Sequence, residues 1–245
     1  MADRSYISSS EVWKGLQSPL TFGLVACGGI GALLFTAVYL IEGFTRPGYD
    51  AWLQPISSLS LGPGGWVQQV NFVVFGVLLL LSSVGWYRLL SQLLTPKDYA
   101  LWFPLLQGIS GLCLIGAGIF SLDPLGYPPG VAPGPSTVHG TLHTIFAWAI
   151  IISLAVGCFA MAAYFWRFFQ WRGWAVYSEI TGVLILVFWG AFVQGANGNV
   201  AVAWLAPVTG LTERLSAGSH ALWICALVVT LFFKRIRRPD EASNP

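Results

Sequence analysis

Six stretches of this chain are long enough and apolar enough to cross a bilayer as helices, and that recurrence constrains the fold more than any other feature. They run over about 20–41, 67–90, 101–122, 139–165, 174–194 and 215–233. Each can span roughly 30 Å of hydrocarbon at about 1.5 Å per residue. Lipid offers no partner to a free backbone N–H or C=O, so an open-ended element that crosses it must be helical. Composition agrees. Hydrophobic residues make up 56% of the chain and charged residues 9%, against roughly a quarter charged in soluble domains. Twelve Lys and Arg with ten Asp and Glu cannot cover so much apolar surface in water. The expected fold is all-α: a single polytopic bundle of six transmembrane helices. A soluble domain, a disordered chain and a coiled coil are excluded. A net charge of +2 with scattered bases argues against a nucleic-acid partner.

The chain divides into a polar N-terminal segment, 1–18, a transmembrane domain, 19–234, and a basic, polar tail, 235–245. Ser8-Ser9-Ser10-Glu11 before Val12, Trp13 and Leu16 suggests a capping box and a short interfacial helix. Thr95-Pro96-Lys97-Asp98 has the pattern of a helix start, and Pro104 is expected to bend the helix that follows. Ser136-Thr137 can cap the fourth span. Cys27, Cys113, Cys158 and Cys225 each lie in apolar runs and read as packing residues. The glycines at 28, 29, 31, 108, 111, 116 and 118 read as sites of close helix approach.

Lys and Arg choose the orientation. Ten of them lie at the N-terminus, the 2–3 and 4–5 links and the C-terminus, and two, Arg46 and Arg214, lie on the other side. This bias predicts a multi-pass protein of a cell membrane with both termini in the cytoplasm. Trp66, Trp166, Trp171, Trp174 and Trp204 fall near the expected interfaces as anchors. The three external links are the longer ones. The second, from Asp123 to Pro135, is too proline-rich for regular structure. Ala51-Trp52-Leu53-Gln54-Pro55-Ile56-Ser57-Ser58-Leu59 resembles Ala203-Trp204-Leu205-Ala206-Pro207-Val208-Thr209-Gly210-Leu211, a weak internal repeat.

Polar side chains gather at the external ends of the spans. His139 and His143 stand four residues apart at the start of the fourth, so they share a helical face. His220 enters the sixth at a similar expected depth. Asp123 follows the third. Ser57, Ser58 and Asp50 lie in the first external loop, Gln68 and Asn71 on the outer turns of the second span, and Glu42, Glu213, Gln194, Asn197 and Asn199 at other span ends. Buried singly in lipid these groups are costly, so they are expected to face one another or a wet cavity. The ligand-binding candidates are Asp123, His139, His143, Asn71 and Gln68. The metal candidates are His139, His143 and His220, and zinc is the cofactor such a set would hold. Zinc-bound water would attack an ester or amide, with Asp123, Ser57 and Ser58 as the catalytic candidates. The plain alternative makes the two histidines interfacial groups bonded to the Asp123 loop. Glu179, inside the fifth span, is expected to pair with a base such as Arg172 or Arg88.

Pro55-Ile56-Ser57-Ser58-Leu59-Ser60-Leu61-Gly62, followed by Gly65-Trp66-Val67-Gln68 and Asn71-Phe72, resembles the prokaryotic membrane family catalogued as domain of unknown function 998. So do Gly118-Ile119-Phe120 with Asp123-Pro124, His139-Gly140-Thr141-Leu142-His143, and Gly210-Leu211-Thr212-Glu213-Arg214. The resemblance covers about 20–233 and implies an integral membrane bundle of about six helices, with no biochemical role attached. Many relatives carry an acid where this chain has Ser58. A looser likeness joins Ser57 or Ser58, Asp123, His139, His143 and His220 to the serine, aspartate and three histidines of alkaline ceramidases and progestin/adiponectin-type receptors. There the histidine pair lies in a last helix and the helix count is seven.

Three functions follow as expectations. One is an outward-facing pocket around Asp123, His139 and His143 that binds a small ligand, lipid head group or metal. Another is a zinc-dependent lipid hydrolase. The last is an accessory subunit packed on membrane-protein partners or on copies of itself. Membrane lipids are a partner in every case.

Overall fold

A computed structural model describes residues 9–94, 100–126, 134–169, 171–198 and 200–236. Among these the chain is helical, with no strand. A short helix, α1 (Ser9–Leu16), precedes α2 (Pro19–Thr45), α3 (Gly65–Leu93), α4 (Trp102–Ile119), α5 (Val138–Tyr164), α6 (Arg172–Ala196) and α7 (Thr209–Ile236). Tight 3-10 segments, Ile56–Ser60 and Val200–Val208, lie before α3 and α7. The helices α2 to α7 supply six segments long and apolar enough to cross a membrane. The protein is a multi-pass membrane protein.

Local chemistry sets several boundaries. Ser18 caps α2 by accepting the Thr21 N–H, and Pro19 occupies the first turn, where no N–H is needed. Thr137 caps α5 by accepting the Gly140 N–H at 3.1 Å, as the sequence suggests. Pro104 does not bend a helix. The α4 helix starts at Trp102, so Pro104 lies in its first turn, where it breaks no hydrogen bond. The expected cap at residues 95–98, Ser8, Asn199, Arg237, Arg238 and the centre of the proline-rich link, 127–133, lie outside the described residues.

Each long helix packs on the next, and α7 returns to pack on α2. The result is a closed ring of six. Small residues permit the tightest crossing: a Cβ at Gly76 would come within 2.5 Å of the Gly111 carbonyl, and one at Gly111 within 2.7 Å of the Gly76 carbonyl. The backbones of α3 and α4 therefore touch, as in other small-residue membrane contacts. Hydroxyls tie the remaining seams. Ser110 and Ser153 meet at 2.7 Å between α4 and α5, Ser82 donates to the Val25 carbonyl between α3 and α2, and Ser216 donates to the Ile185 carbonyl between α7 and α6. The outer surface is apolar: Leu33, Leu112 and Leu222 are 64%, 61% and 70% exposed. Such a surface is stable against hydrocarbon and not against water.

The start of α7 departs from expectation. It begins at Thr209, so Glu213 and Arg214 lie in its second turn and are buried, at 8% and 9% exposed. His220 consequently lies about three turns into the helix, deeper than a span starting at residue 215 implies. The two similar segments, 51–59 and 203–211, come together at this end of the ring. Leu211 N–H donates to the Trp52 carbonyl at 3.1 Å. The Gln54 carbonyl lies against Gly210 where only a glycine fits.

Candidate functional site

The site is built on the 3-10 segment that carries Ser57. Pro55 opens it in extended conformation, and the Ser58 N–H closes the first turn on the Pro55 carbonyl at 3.0 Å. Gly62, at φ 74°, lets the chain reverse into α3. This segment is gripped from both sides. Glu213 Oε2 accepts the Ile56 N–H at 2.5 Å. Arg214 Nη1 donates to the carbonyls of Gln54 and Gly210 at 2.9 and 2.8 Å, and its Nη2 donates to the Tyr49 hydroxyl. Tyr49 Oη in turn donates to the Gln54 and Pro55 carbonyls, and burial pushes this phenol up to about 12, so it stays protonated. Arg46 Nη1 donates to the Leu59 and Leu61 carbonyls while its Nη2 pairs with Glu42 at 2.8 Å. The two arginines that charge counting assigns to the external side thus hold the loop around Ser57.

His143 meets this loop from α5. Its ring is 2% exposed. Nδ1 lies 3.0 Å from the Ala117 carbonyl and 2.8 Å from the Phe120 carbonyl, and Nε2 lies 3.0 Å from Ser57 Oγ. Carbonyls only accept, so Nδ1 carries a hydrogen. In the neutral ring Nε2 is then an acceptor, and the Ser57 hydroxyl donates to it. The Ala117 carbonyl belongs to the last turn of α4, whose carbonyls lack intrahelical partners. His143 therefore closes the end of α4 with one nitrogen and orients Ser57 with the other.

Beneath this pair lies a partly open cavity of about 80 Å³, against roughly 10–15 Å³ needed for one water. All six long helices contribute to its wall. Ser57, His143, Glu213, His220 and Trp189 line it together with Phe35, Phe72, Phe75, Ile150, Ile151, Leu154 and Ile185. Trp189 is 7% exposed, and its indole N–H has no partner among the described residues. A buried donor left open in this way points to a guest or ordered water.

The remaining candidates separate. Asp123 is not in the cavity. Its carboxylate accepts the Thr137 hydroxyl at 2.6 Å and the Thr137 N–H at 2.8 Å. These bonds hold its pKa below the usual carboxylate range, the side-chain bond most, with His139 a smaller influence. The carboxylate fills the space a side chain at Gly140 would need. Asp123 thus buttresses the cap of α5. His139 is exposed, with its ring edge-on to Phe120 at 5.3 Å. One turn deeper, His143 is covered by the Ser57 loop. Sharing a helical face does not bring the two imidazoles to one point, because only the deeper one is enclosed.

Gln68 and Asn71 do not line the cavity either. Asn71 Nδ2 donates to the Phe35 carbonyl and to Gln68 Oε1, each at 3.1 Å, tying α3 to α2. Ser58 lines a separate surface depression, and its hydroxyl has no partner among the described residues. His220 is 4% exposed and lines the same cavity as His143. Among the described residues no group of three or more His, Cys, Asp or Glu side chains is arranged to hold a metal ion. The three-histidine set is therefore not assembled: His139 faces outward, and both His143 nitrogens are engaged. Glu179 accepts the Trp166 indole N–H at 2.8 Å, not a bond from Arg172 or Arg88.

Tyr49 and Trp189 carry parts of this site that the sequence does not single out. Glu213 and Arg214 stand in the sequence as a span-end acid, an external base and the close of the Gly210–Arg214 segment, and nothing there joins them to the loop that carries Ser57. A family model described as Protein of unknown function (DUF998) matches residues 29–230. No curated protein and no solved structure matches the chain.

Proposed function

The chain belongs to the DUF998 family of proteins of unknown function, and from the interior of its helix ring we propose that it binds a single-chain amphiphile drawn from the membrane. The observation that carries this reading is a cavity with two unlike ends. Ser57 and Glu213 place oxygens at one end, beside the His143 ring. Phenylalanine, isoleucine, leucine and alanine side chains form most of the rest of the wall, with Thr36, Trp189, Ser216 and His220 set among them. His143 and Leu154 both line it, so it follows α5 for about 16 Å. Sites that bury small ligands combine an apolar wall with a few placed polar groups in this manner. An alkyl chain in the lower part and a polar head at Ser57 and His143 satisfy both ends.

The distribution of Lys and Arg, ten against two, supports both ends of the chain in the cytoplasm. The polar end of the cavity then lies at the outer leaflet. Membrane lipid is the partner this reading requires. Asp123 and His139 belong to the rim, and no metal is needed to hold the ligand.

The test is binding of a fluorescent lysophospholipid to purified protein in mild detergent. Ala147→Trp and Ala217→Trp each place bulk in the cavity. Leu222→Trp adds the same bulk on the lipid-facing surface. Affinity at least ten-fold weaker in the first two, and unchanged in the third, supports the reading. Equal affinity in all three contradicts it.

A further inference from the structure

We propose that Ser57 and His143 form a nucleophile and general base that cleave a long-chain carboxylic ester held in the cavity. The inference rests on the reading of the cavity as an alkyl-chain site. Three observations carry it. Ser57 Oγ lies 3.0 Å from His143 Nε2, within the range needed for proton transfer. The Ala117 and Phe120 carbonyls fix the hydrogen on Nδ1, which leaves the Nε2 lone pair directed at the serine. Both side chains line a cavity whose remaining wall is mostly apolar, so the reacting bond of an amphiphile would lie at the pair while its chain fills the space below.

The chemistry balances with water as the sole co-reactant. Ser57 Oγ attacks the ester carbonyl carbon, and its proton passes to His143 Nε2. The tetrahedral intermediate collapses, the bond to the alkoxy oxygen breaks, and the departing alcohol takes the proton from Nε2. Water then attacks the acyl-serine, again giving a proton to Nε2. Collapse returns that proton to Ser57 Oγ and releases the carboxylic acid. The two main-chain carbonyls occupy the place an aspartate takes in hydrolases of this kind: they orient the imidazole without adding charge. Glu213 is a positioning residue, since it holds Ile56 beside the nucleophile.

The experiment treats the purified full chain with a long-chain alkyl fluorophosphonate and locates the adduct by peptide mass spectrometry. Lysophospholipid binding is measured on the same preparations. The expected result is an adduct on Ser57, absent in Ser57→Ala and formed at the wild-type rate in Ser58→Ala. In His143→Gln, checked for fold by a wild-type size-exclusion profile and thermal midpoint, labelling slows at least ~100-fold, the usual contribution of a general base. Wild-type protein that binds lysophospholipid but gives no adduct, or gives one elsewhere, overturns the catalytic proposal and leaves the binding reading intact. An adduct on Ser57 without lysophospholipid binding keeps the nucleophile and overturns the alkyl-chain reading. Failure of both overturns both. Equal labelling rates in wild type and a folded His143→Gln remove the histidine from the mechanism.

Discussion

Glu213 Oε2 accepts the main-chain N–H of Ile56 at 2.5 Å across 157 residues of sequence. One residue on, Arg214 binds the carbonyl of Gln54. Adjacent side chains of α7 thus hold the backbone on either side of Pro55, and Ser57 lies within two residues of the Glu213 contact. The last helix thus adds two contacts from far away in sequence to the loop's own turn bonds. Replacing Glu213 with Ala leaves a buried N–H without a partner, which costs about 1–3 kcal/mol. Glu213→Gln retains an acceptor and is expected to lose less. Thermal unfolding in detergent measures both. An Ala variant as stable as wild type would show that the contact does not hold the loop.

Arg214 serves three acceptors with one planar group: the Gln54 and Gly210 carbonyls and the Tyr49 hydroxyl. Lysine keeps the charge but not the fork. Arg214→Lys is therefore expected to destabilise the protein by about 1–3 kcal/mol and to expose the 47–55 loop to proteolysis. Limited proteolysis followed by mass mapping checks this. Wild-type resistance in the variant would mean that charge alone suffices.

Asp123 predicts an acid dependence. Its pKa is lowered in the fold by the Thr137 hydroxyl and N–H. A carboxyl depressed in this way stabilises the folded state above its unfolded pKa, about 3.9, and that contribution disappears as pH falls through the lower folded value. Thermal midpoints measured between pH 3 and pH 7 should fall toward the acid end in wild type. Asp123→Asn should begin lower at pH 7 and lose less below pH 4. Parallel curves would remove Asp123 from the cap of α5.

The crossing of α3 and α4 leaves no room for a side chain at Gly111. Gly111→Leu should force the helices apart, lower the yield of monodisperse protein and enlarge or collapse the cavity, since both helices line it. Gly190→Ala meets nothing within 4 Å and should be silent. Size-exclusion profiles of the two variants separate them.

Chelation gives a further check. Both His143 nitrogens have protein partners, and His139 faces outward. Treatment of the purified protein with EDTA should leave fluorophosphonate labelling unchanged. A loss that added zinc restores would return zinc to the reaction.

Hydropathy made the six helices legible, because a bilayer demands long uncharged runs, and Thr137 was legible as a cap. Ser57 and His143 stood among the candidates, yet nothing separated them from Ser58 and His139. Spacing along a helix gives direction but not cover, and the covering loop comes from far away in sequence. Glu213 and Arg214 were misplaced for a related reason. Two charges beside an apolar run resemble a loop end, and only their partners on residues 49–56 allow them to lie inside the helix. Asp123 is a catalytic and ligand-binding candidate on sequence, but Thr137, already required as a cap, takes both carboxylate oxygens.

The central claim is that the ring holds an amphiphile with its chain below Ser57 and His143. A lysophospholipid with a photoreactive diazirine at the end of its chain, irradiated with the protein in lipid nanodiscs, tests it most directly. The account predicts adducts on Ile150, Leu154 or Ile185, deep in the cavity wall. Adducts confined to Leu33, Leu112 and Leu222, on the outer surface of the helices, would contradict it.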